Sequence, residues 1–453
     1  MIDLAGKVLR ANFLHAPVCG QIAALPDGLV EIDATGTISA VIPAEAPEHA
    51  VLIARAYGEG RLVTLPQSQW VVPGLVDLHV HAPQYPQLGL ALDVPLEIWL
   101  QHYTFPLEAR YADLDFAHKA YAALVADLLA NGTTTALYFA TVHQEATRLL
   151  IDLCLQLGQR ALVGKVAMDH PDACPDYYRD ASPDDAVAGT RALIDYVRTH
   201  PGNGAGRVLP VITPRFIPAC TDAALAGLGQ LAAECGCHVQ SHVSESNWEH
   251  GHVLERHGMT DTQSLDRFGL VTRRTVLAHG TLLTETDMGL LAARGSGVAH
   301  CPVSNAYFGD GVFPLRQALE KGVHVGLGTD ISGGPTASVL ETARMAIAAS
   351  RMLEAGTDPA RPAAERGRPE SRIGFETAFY LATAGGGEAL DLPIGKFEPG
   401  FKFDALRIDP EAPDGTMRLF DEAGATEIAQ KLIYTASRPN IATVWVDGKA
   451  VRP

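Results

Sequence analysis

Short apolar segments alternate with longer amphipathic ones from Val71 onward, and most of the apolar segments end in polar or ionisable residues. Near-continuous apolar segments are typical of parallel strands that are buried on both faces. Eight such segments separated by helices are what a closed (β/α)8 barrel requires. The pattern therefore predicts a TIM barrel in an α/β protein, with strands at residues 75–81, 133–139, 161–168, 208–215, 238–242, 275–279, 298–301 and 323–330.

Helix-ending and helix-starting residues lie between these strands. Asn131-Gly132 ends a predicted helix at 116–130, Gly158 ends one at 145–157, and Ser182 precedes one at 183–197. Thr284 and Asp287 form a pair typical of a capping box, so another helix is predicted to begin there. These signals support regular βα alternation between the predicted strands.

The two ends of the chain have a different pattern. Residues 1–70 and 390–453 contain short β-like runs, at 29–32, 404–408 and 442–446, that are separated by turn residues. Neither end has enough strands to bury a face by itself. We therefore predict one small β domain built from both ends, and a barrel domain at residues 71–389.

The chain is acidic, because its 453 residues include 35 Lys+Arg and 52 Asp+Glu, which gives a net charge of −17. Binding to nucleic acid depends on clustered positive charge, so a nucleic-acid partner is not expected. No apolar run is long enough to cross a membrane, and the first residues lack the features of a signal peptide. The seven scattered cysteines do not suggest a disulfide framework, so we expect a cytoplasmic protein with a small substrate.

Histidines recur at the predicted strand ends. His79 and His81 are two residues apart on one strand, so their side chains point to the same face. This pair alone is compatible with two hydrogen-bonded barrel histidines. His242, His279 and Asp330 end three further strands at the same edge, where barrel active sites are built.

Burial of these imidazoles and one carboxylate around a barrel mouth is costly unless a cation compensates it. Three neutral imidazoles, a carboxylate and a water suit Zn²⁺, and Fe²⁺ is an alternative. The sequence therefore predicts a divalent metal site.

Longer motifs around these positions resemble those of the guanine deaminases, a family within the metal-dependent amidohydrolase superfamily. The superfamily shares the His-x-His pair, the histidine of strand six and the aspartate of strand eight, whereas other segments are narrower. The chain departs from the family pattern at Ser246 and Val303, where asparagine is common. The motifs that carry the resemblance are at 73–85, 131–135, 138–141, 213–216, 240–245, 278–280, 300–305 and 326–330.

This resemblance implies zinc-dependent hydrolysis of guanine to xanthine and ammonia, as in purine catabolism. Carried over residue by residue, it implies that His79, His81, His242 and Asp330 bind one zinc ion per subunit. Asp330 would accept the proton of the attacking water, which His279 would orient. Glu245 would protonate the ring nitrogen beside the reacting carbon. The resemblance also implies a homodimer.

Arg215 occupies the end of strand four, where binuclear amidohydrolases carry a carbamylated lysine. Arginine cannot be deprotonated to form that group, so the resemblance implies a mononuclear site. Arg215 and Gln84 are candidates for binding the purine edge, although an ordinary barrel salt bridge is an alternative for Arg215. Trp99 and Phe105 are candidates for stacking on the heterocycle, with plain packing as the alternative.

Two other functions stay open from the sequence. A sister enzyme would deaminate another aminated ring, such as a pterin, a triazine or an oxidised guanine. A scaffold protein without catalysis is the second alternative, although all the candidate ligands are present. The other zinc route to deamination of nucleobases requires Pro-Cys-x-x-Cys, which does not occur in this chain.

Overall fold

The computed structural model describes residues 2–309, 311–420 and 424–451. Its strands are β1 (Val8–His15), β2 (Ala23–Ile32), β3 (Ile38–Ile42), β4 (Leu62–Thr64), β5 (Trp70–Pro73), β6 (Leu75–His81), β7 (Thr133–Phe139), β8 (Arg160–Gly164), β9 (Val166–Ala167), β10 (Val208–Pro214), β11 (His238–Val243), β12 (Thr275–His279), β13 (Gly297–His300), β14 (His324–Leu327), β15 (Ala405–Ile408), β16 (Ile441–Val446) and β17 (Lys449–Ala450).

The helices are α1 (Glu48–Gly58), α2 (Leu96–Trp99), α3 (Phe105–Ala109), α4 (Leu114–Ala130), α5 (Gln144–Leu157), α6 (Pro183–Thr199), α7 (Asp222–Cys235), α8 (Asn247–His257), α9 (Asp261–Arg267), α10 (Glu285–Arg294), α11 (Pro302–Tyr307), α12 (Leu315–Glu320), α13 (Val339–Ala355), α14 (Phe375–Ala382), α15 (Ala384–Ala389) and α16 (Ala425–Thr435). A turn of π-helix, Leu100–Thr104, joins α2 to α3. No helix in the described ranges has the length and apolar character needed to span a membrane.

The barrel consists of parallel strands in the order β6, β7, β8, β10, β11, β12, β13 and β14, with β9 beside β10. The predicted fold class is therefore confirmed. The ends of the sheet meet at the carboxyl side, where the Asp330 N–H donates to the His79 carbonyl at 2.8 Å and the His81 N–H donates to the Ile331 carbonyl at 3.0 Å. Closure of the barrel thus occurs between the residues predicted to bind metal.

Two predicted strands differ from the observed ones. The third is interrupted at Lys165, whose ammonium group lies 2.6 Å from an Asp180 carboxylate oxygen. The eighth ends at Leu327, because the chain leaves the strand and Asp330 adopts a left-handed backbone with φ of 50°. The side chains at its end are consequently placed by this turn rather than by strand alternation.

The helix signals agree with the structure. The Ser182 hydroxyl accepts the Asp185 N–H at the start of α6, and Gly158 ends α5 with φ of 82°. Thr284 and Asp287 form the predicted capping box of α10. Local sequence therefore determines these boundaries with little help from tertiary contacts.

The second sheet combines both ends of the chain, in the order β17, β16, β15, β5, β1, β2 and β3, with β4 beside β1. Strand β15 pairs antiparallel with β5, so that Leu406 lies opposite Val72. Side chains from both ends, including Phe13, Phe403 and Trp445, form one buried cluster. The sheet reaches Pro73, beyond the predicted boundary at residue 70, and the division of the chain into domains stays a prediction.

Candidate active site

The candidate metal ligands converge at the carboxyl end of the barrel. His79 Nε2 lies 3.1 Å and His81 Nε2 3.5 Å from the same Asp330 oxygen, and His81 Nε2 lies 2.9 Å from His242 Nε2. The potential ligand atoms of His79, His81 and Asp330 all lie within 4.8 Å of one another, as do those of His79, His242 and His279. All five side chains are buried. The structure therefore brings together every residue predicted to lie at the metal.

Buried contacts behind the ligands fix their positions. The Asp77 carboxylate accepts the Thr329 backbone N–H at 2.9 Å and the Thr329 hydroxyl at 2.6 Å, which ties β6 to the turn that carries Asp330. Gly328 lies against this strand, since a Cβ there would stand 2.7 Å from His79 Cβ. Only glycine permits so close an approach of the two backbones. Asp77 and Gly328 thus determine the spacing between His79 and Asp330.

The orientations of two histidines indicate lone pairs that face the cluster. His242 Nδ1 lies 2.5 Å from the Arg215 carbonyl oxygen and His279 Nδ1 lies 3.0 Å from Asn305 Oδ1, so each Nδ1 carries the proton that it donates. Their Nε2 atoms are then acceptors. Within the described part of the chain, His279 Nε2 is buried without a hydrogen-bond partner. Converging imidazole and carboxylate acceptors in a buried site fit a divalent cation.

The protonation states support the same conclusion. Burial, followed by repulsion from neighbouring histidines, lowers the pKa of His81 and of His242 well below the ordinary value. Burial also lowers the pKa of His279. Burial alone would raise the pKa of Asp330, but His79 and the other histidines hold it well below its usual range. At neutral pH His81, His242 and His279 are therefore neutral imidazoles and Asp330 is a carboxylate, the forms that bind metal.

Glu245 follows β11 and faces the same cavity. Its carboxylate lies 3.8 Å from His279 Nε2. The Glu245 backbone is held on both sides, since its N–H donates to Glu249 Oε2 at 2.8 Å and its carbonyl accepts the Thr281 hydroxyl at 2.9 Å. Ser244, with φ of 49°, provides the turn that directs Glu245 over the histidines. This placement allows Glu245 to exchange protons with a molecule in the cavity.

A cavity opens beside these groups. Trp99 lines it and packs against Phe308, with ring centroids 5.0 Å apart. Phe105 differs from its predicted position, because it packs beneath the Arg215 guanidinium, 5.0 Å from the ring centroid, instead of in the cavity wall. The full lining is His81, Gln84, Leu96, Trp99, Leu100, Arg215, Phe216, His242, Glu245, Glu249, His279, Phe308, Asp330 and Gly333.

Arg215 and Gln84 meet at Glu108, a residue that the sequence did not reveal as part of the site. Arg215 Nη1 and Nη2 donate to the two Glu108 oxygens at 2.6 and 3.1 Å, and Gln84 Nε2 donates to Glu108 Oε1 at 2.9 Å. Burial alone would lower the pKa of Arg215, but the Glu108 carboxylate raises it. The salt bridge considered as an alternative for Arg215 is thus present, and Arg215 lines the cavity as well.

Residues 70–451 match the model of the Amidohydrolase family. The chain belongs to the amidohydrolase family. Among its relatives, it is 35% identical to the guanine deaminase of Homo sapiens over 455 residues, which cover 98% of this chain and 96% of that protein. It is 37% identical to a probable guanine deaminase of Schizosaccharomyces pombe over 414 residues, 90% of this chain and 75% of the relative.

Solved structures give the same picture of this amidohydrolase. A guanine deaminase from C. acetobutylicum, described with guanine bound in its active site, superposes with a TM-score of 0.85 at 31% identity. The alignment covers 98% of this chain and 99% of that structure. The chain therefore has the fold of these proteins and belongs to the same class of metal-dependent hydrolases.

The sequence did not identify three residues, Glu108, Glu249 and Asn305, as members of the site. Glu108 lies in α3 within the long loop after β6, far from any strand end. Glu249 lies in α8, and a glutamate in a helix is usually exposed to solvent. Asn305 belongs to a motif at 300–305 that the sequence did highlight, but its contact with His279 depends on the fold.

Proposed function

We propose that this amidohydrolase is a guanine deaminase that converts guanine and water to xanthine and ammonia. The observation that supports this most directly is the arrangement of the cavity. Three of the candidate metal ligands (His81, His242 and Asp330), a carboxylate that can exchange protons (Glu245) and two residues with N–H donors (Arg215 and Gln84) line one cavity. A flat, uncharged ring with an amidine at one edge and a carbonyl at the other matches these groups.

His79, His81, His242 and Asp330 would hold one zinc ion per subunit, with iron as the alternative. A bound zinc ion would supply Lewis acidity, which lowers the pKa of a water to about 7. The donor set of imidazoles and one carboxylate supports this assignment. Metal analysis of protein prepared without chelators is expected to give one equivalent per chain and to distinguish zinc from iron.

Two carboxylates would move protons in the reaction. Asp330 would take the proton that the attacking water loses as its oxygen bonds to C2 of guanine. Glu245 would donate a proton to the adjacent ring nitrogen, so that negative charge does not build up in the purine. The leaving amine would then depart as ammonia with a proton from one of these two groups, and the other would take the hydroxyl proton as the C2 carbonyl of xanthine forms. Proton transfer of this kind typically contributes about 10²–10⁴-fold in rate.

The walls of the cavity would hold the ring and exclude water. Trp99, Phe216 and Phe308 provide apolar and aromatic surface, which suits a planar heterocycle. His279 would orient the attacking water, since its Nδ1 is held by Asn305 and its Nε2 faces Glu245 and Asp330. Removal of water from this site would strengthen each polar contact with the substrate.

The decisive experiment incubates the purified protein with guanine and follows xanthine by its absorbance together with released ammonia. Formation of both products in equal amounts is expected. A panel with a pterin, an aminated triazine and oxidised guanine should show lower kcat/KM values. Absence of guanine turnover beside rapid turnover of a panel member would move the assignment to a sister deaminase, and a metal content far below one equivalent would favour a non-catalytic scaffold.

We further propose a homodimer, which the family resemblance implies, and a cytoplasmic location, which the seven scattered free cysteines favour. Light scattering coupled to size-exclusion chromatography is expected to give twice the 48.2 kDa of the chain. Fractionation of the source cells would test the location.

A further inference from the structure

Glu108 is fully buried, with 0% of its surface exposed. It contacts Arg215 and Gln84, both of which line the cavity. A carboxylate in this position can only accept hydrogen bonds. It accepts two N–H groups from Arg215 and one from Gln84, and it also interacts with the Tyr178 hydroxyl.

This contact determines which way the Gln84 amide points. Because Glu108 accepts from Gln84 Nε2, the amide oxygen is turned to the other side, where it accepts the Ser332 backbone N–H at 3.1 Å. A reversed amide would place its oxygen against the Glu108 carboxylate and its NH₂ against the Ser332 N–H. Gln84 therefore keeps one N–H that is not engaged by Glu108.

The same contact fixes the plane of Arg215. Both terminal nitrogens engage Glu108 in a paired geometry, and the Phe105 ring lies under the guanidinium at 5.0 Å. The remaining N–H groups of Arg215 are thereby held in one plane, at a residue that lines the cavity. The charges of Glu108 and Arg215 also cancel. Arg215 and Gln84 therefore present hydrogen-bond donors to the cavity without a net charge.

We propose that Glu108 is a positioning residue that sets substrate specificity, because it directs the free N–H groups of Arg215 and Gln84 toward a carbonyl oxygen on the six-membered ring of the substrate. This inference rests on the proposed deaminase function. The selected substrates are uncharged 2-amino-6-oxopurines. A 6-amino group at the same place would set its N–H groups against those donors, and unpaired buried donors are strongly rejected.

The test compares guanine with 2,6-diaminopurine, since both carry the reacting 2-amino group and they differ in the group on C6. In E108Q the new amide can donate as well as accept, so neither Gln84 nor Arg215 is held in one orientation. We expect kcat/KM for guanine to fall by about 100-fold, mainly through KM, because the affected groups bind the substrate away from the reacting carbon. The ratio of guanine to diaminopurine kcat/KM should fall by about tenfold or more.

Asp404→Asn is the matched control. Asp404 is also a buried partner of an arginine, since Arg160 Nε and Nη2 donate to its two oxygens at 2.7 and 3.1 Å, but this pair joins β8 to the residues before β15. D404N is expected to lower the stability while the substrate ratio stays within about twofold of the wild type. If E108Q is insoluble, E108D keeps the charge and should reduce the ratio in the same direction.

The outcomes separate the two proposals. Wild-type protein that does not deaminate guanine contradicts the proposed function. Wild-type protein that deaminates guanine, with a soluble E108Q or E108D variant that retains the ratio, overturns the role of Glu108 alone. A loss of kcat for both substrates in equal proportion also overturns it, because a purely structural role predicts that result.

Discussion

The backbone of Glu245 is held on both sides by neighbouring side chains. The N–H and the carbonyl of the same residue are each bound by a buried side chain, Glu249 and Thr281. Burial, followed by the charges of Asp261 and Glu245, raises the pKa of Glu249 well above its ordinary value. A neutral Glu249 can still accept the Glu245 N–H without adding a second negative charge beside Glu245.

Replacement of Glu245 by glutamine tests its proposed role. The variant should keep its metal, because the four candidate ligands are untouched, and should lose about 10²–10⁴-fold in kcat. Metal content and kcat are measured on the same preparation. Glu255→Gln, at an exposed position on the helix that follows Glu245, is the control and should behave as the wild type. A near-normal kcat for E245Q would remove Glu245 from the mechanism.

The segment from α2 to α3 covers the cavity. Trp99 is its main contact with the interior, since it is buried and packs on Phe308, whereas the adjacent Ile98 is exposed. The π-helical turn at Leu100–Thr104 separates Trp99 from Phe105, so the two aromatic rings take different places. Trp99 lines the cavity, and Phe105 supports Arg215.

Truncation of Trp99 to alanine is expected to raise KM for guanine by about 10- to 100-fold, because a large apolar surface beside the substrate is lost. kcat should change much less, since the residues that move protons stay in place. Steady-state kinetics measure both values. Ile98→Ala is the matched control in the same turn, and an equal effect of the two variants would show that Trp99 does not contact the substrate.

Strand β1 ends at His15, which contacts a distant part of the chain. His15 Nδ1 accepts the Phe397 N–H at 3.2 Å, and burial, together with the charge of Lys396, lowers the pKa of His15 to about 4. The folded protein therefore favours the neutral imidazole, and the histidine contributes stability that is complete above pH about 6.5 and is lost as the pH falls toward about 4.

Asparagine at position 15 can accept the same N–H but does not titrate. His15→Asn should therefore lose less unfolding free energy than the wild type between pH 6.5 and 4, by up to about 3 kcal/mol. Urea denaturation of each protein at both pH values gives its loss of unfolding free energy between them. Parallel pH dependence in the two proteins would mean that His15 is not buried as a neutral group.

The strand pattern was sufficient to predict that His79, His81, His242 and His279 converge. Strand alternation and the common carboxyl edge of a barrel place these histidines without reference to loops. Glu108 could not be predicted in this way. Its partner Arg215 is 107 residues away, and both the loop path and the burial that make this carboxylate important are tertiary properties. The positions of Trp99 and Phe105 could not be predicted either. A loop has no periodicity that shows which of its side chains face the cavity.

The barrel and the terminal sheet are joined by buried charges. Arg160, in β8, lies 2.7 Å from Asp404 and 2.5 Å from Asp447, and Arg207 lies 3.0 Å from Asp447. Both aspartates belong to the C-terminal part of the chain, beside β15 and after β16. Removal of one partner from such a network leaves buried charge without compensation.

Arg160→Met should therefore destabilise the protein by about 3–5 kcal/mol. The midpoint of urea denaturation measures this effect. Arg191→Met, which affects a pair with Glu234 on the surface, should lower the free energy of unfolding much less. Equal losses in the two variants would indicate that the Arg160 network does not stabilise the junction.

The position of β15 between β16 and β5 also determines when the molecule can be completed during synthesis. Strand β5 leaves the ribosome with one edge unpaired, and its partner at Ala405–Ile408 is translated only after every barrel strand. An unpaired edge is a template for aggregation. This edge of β5 therefore stays without its final partner throughout translation of the barrel.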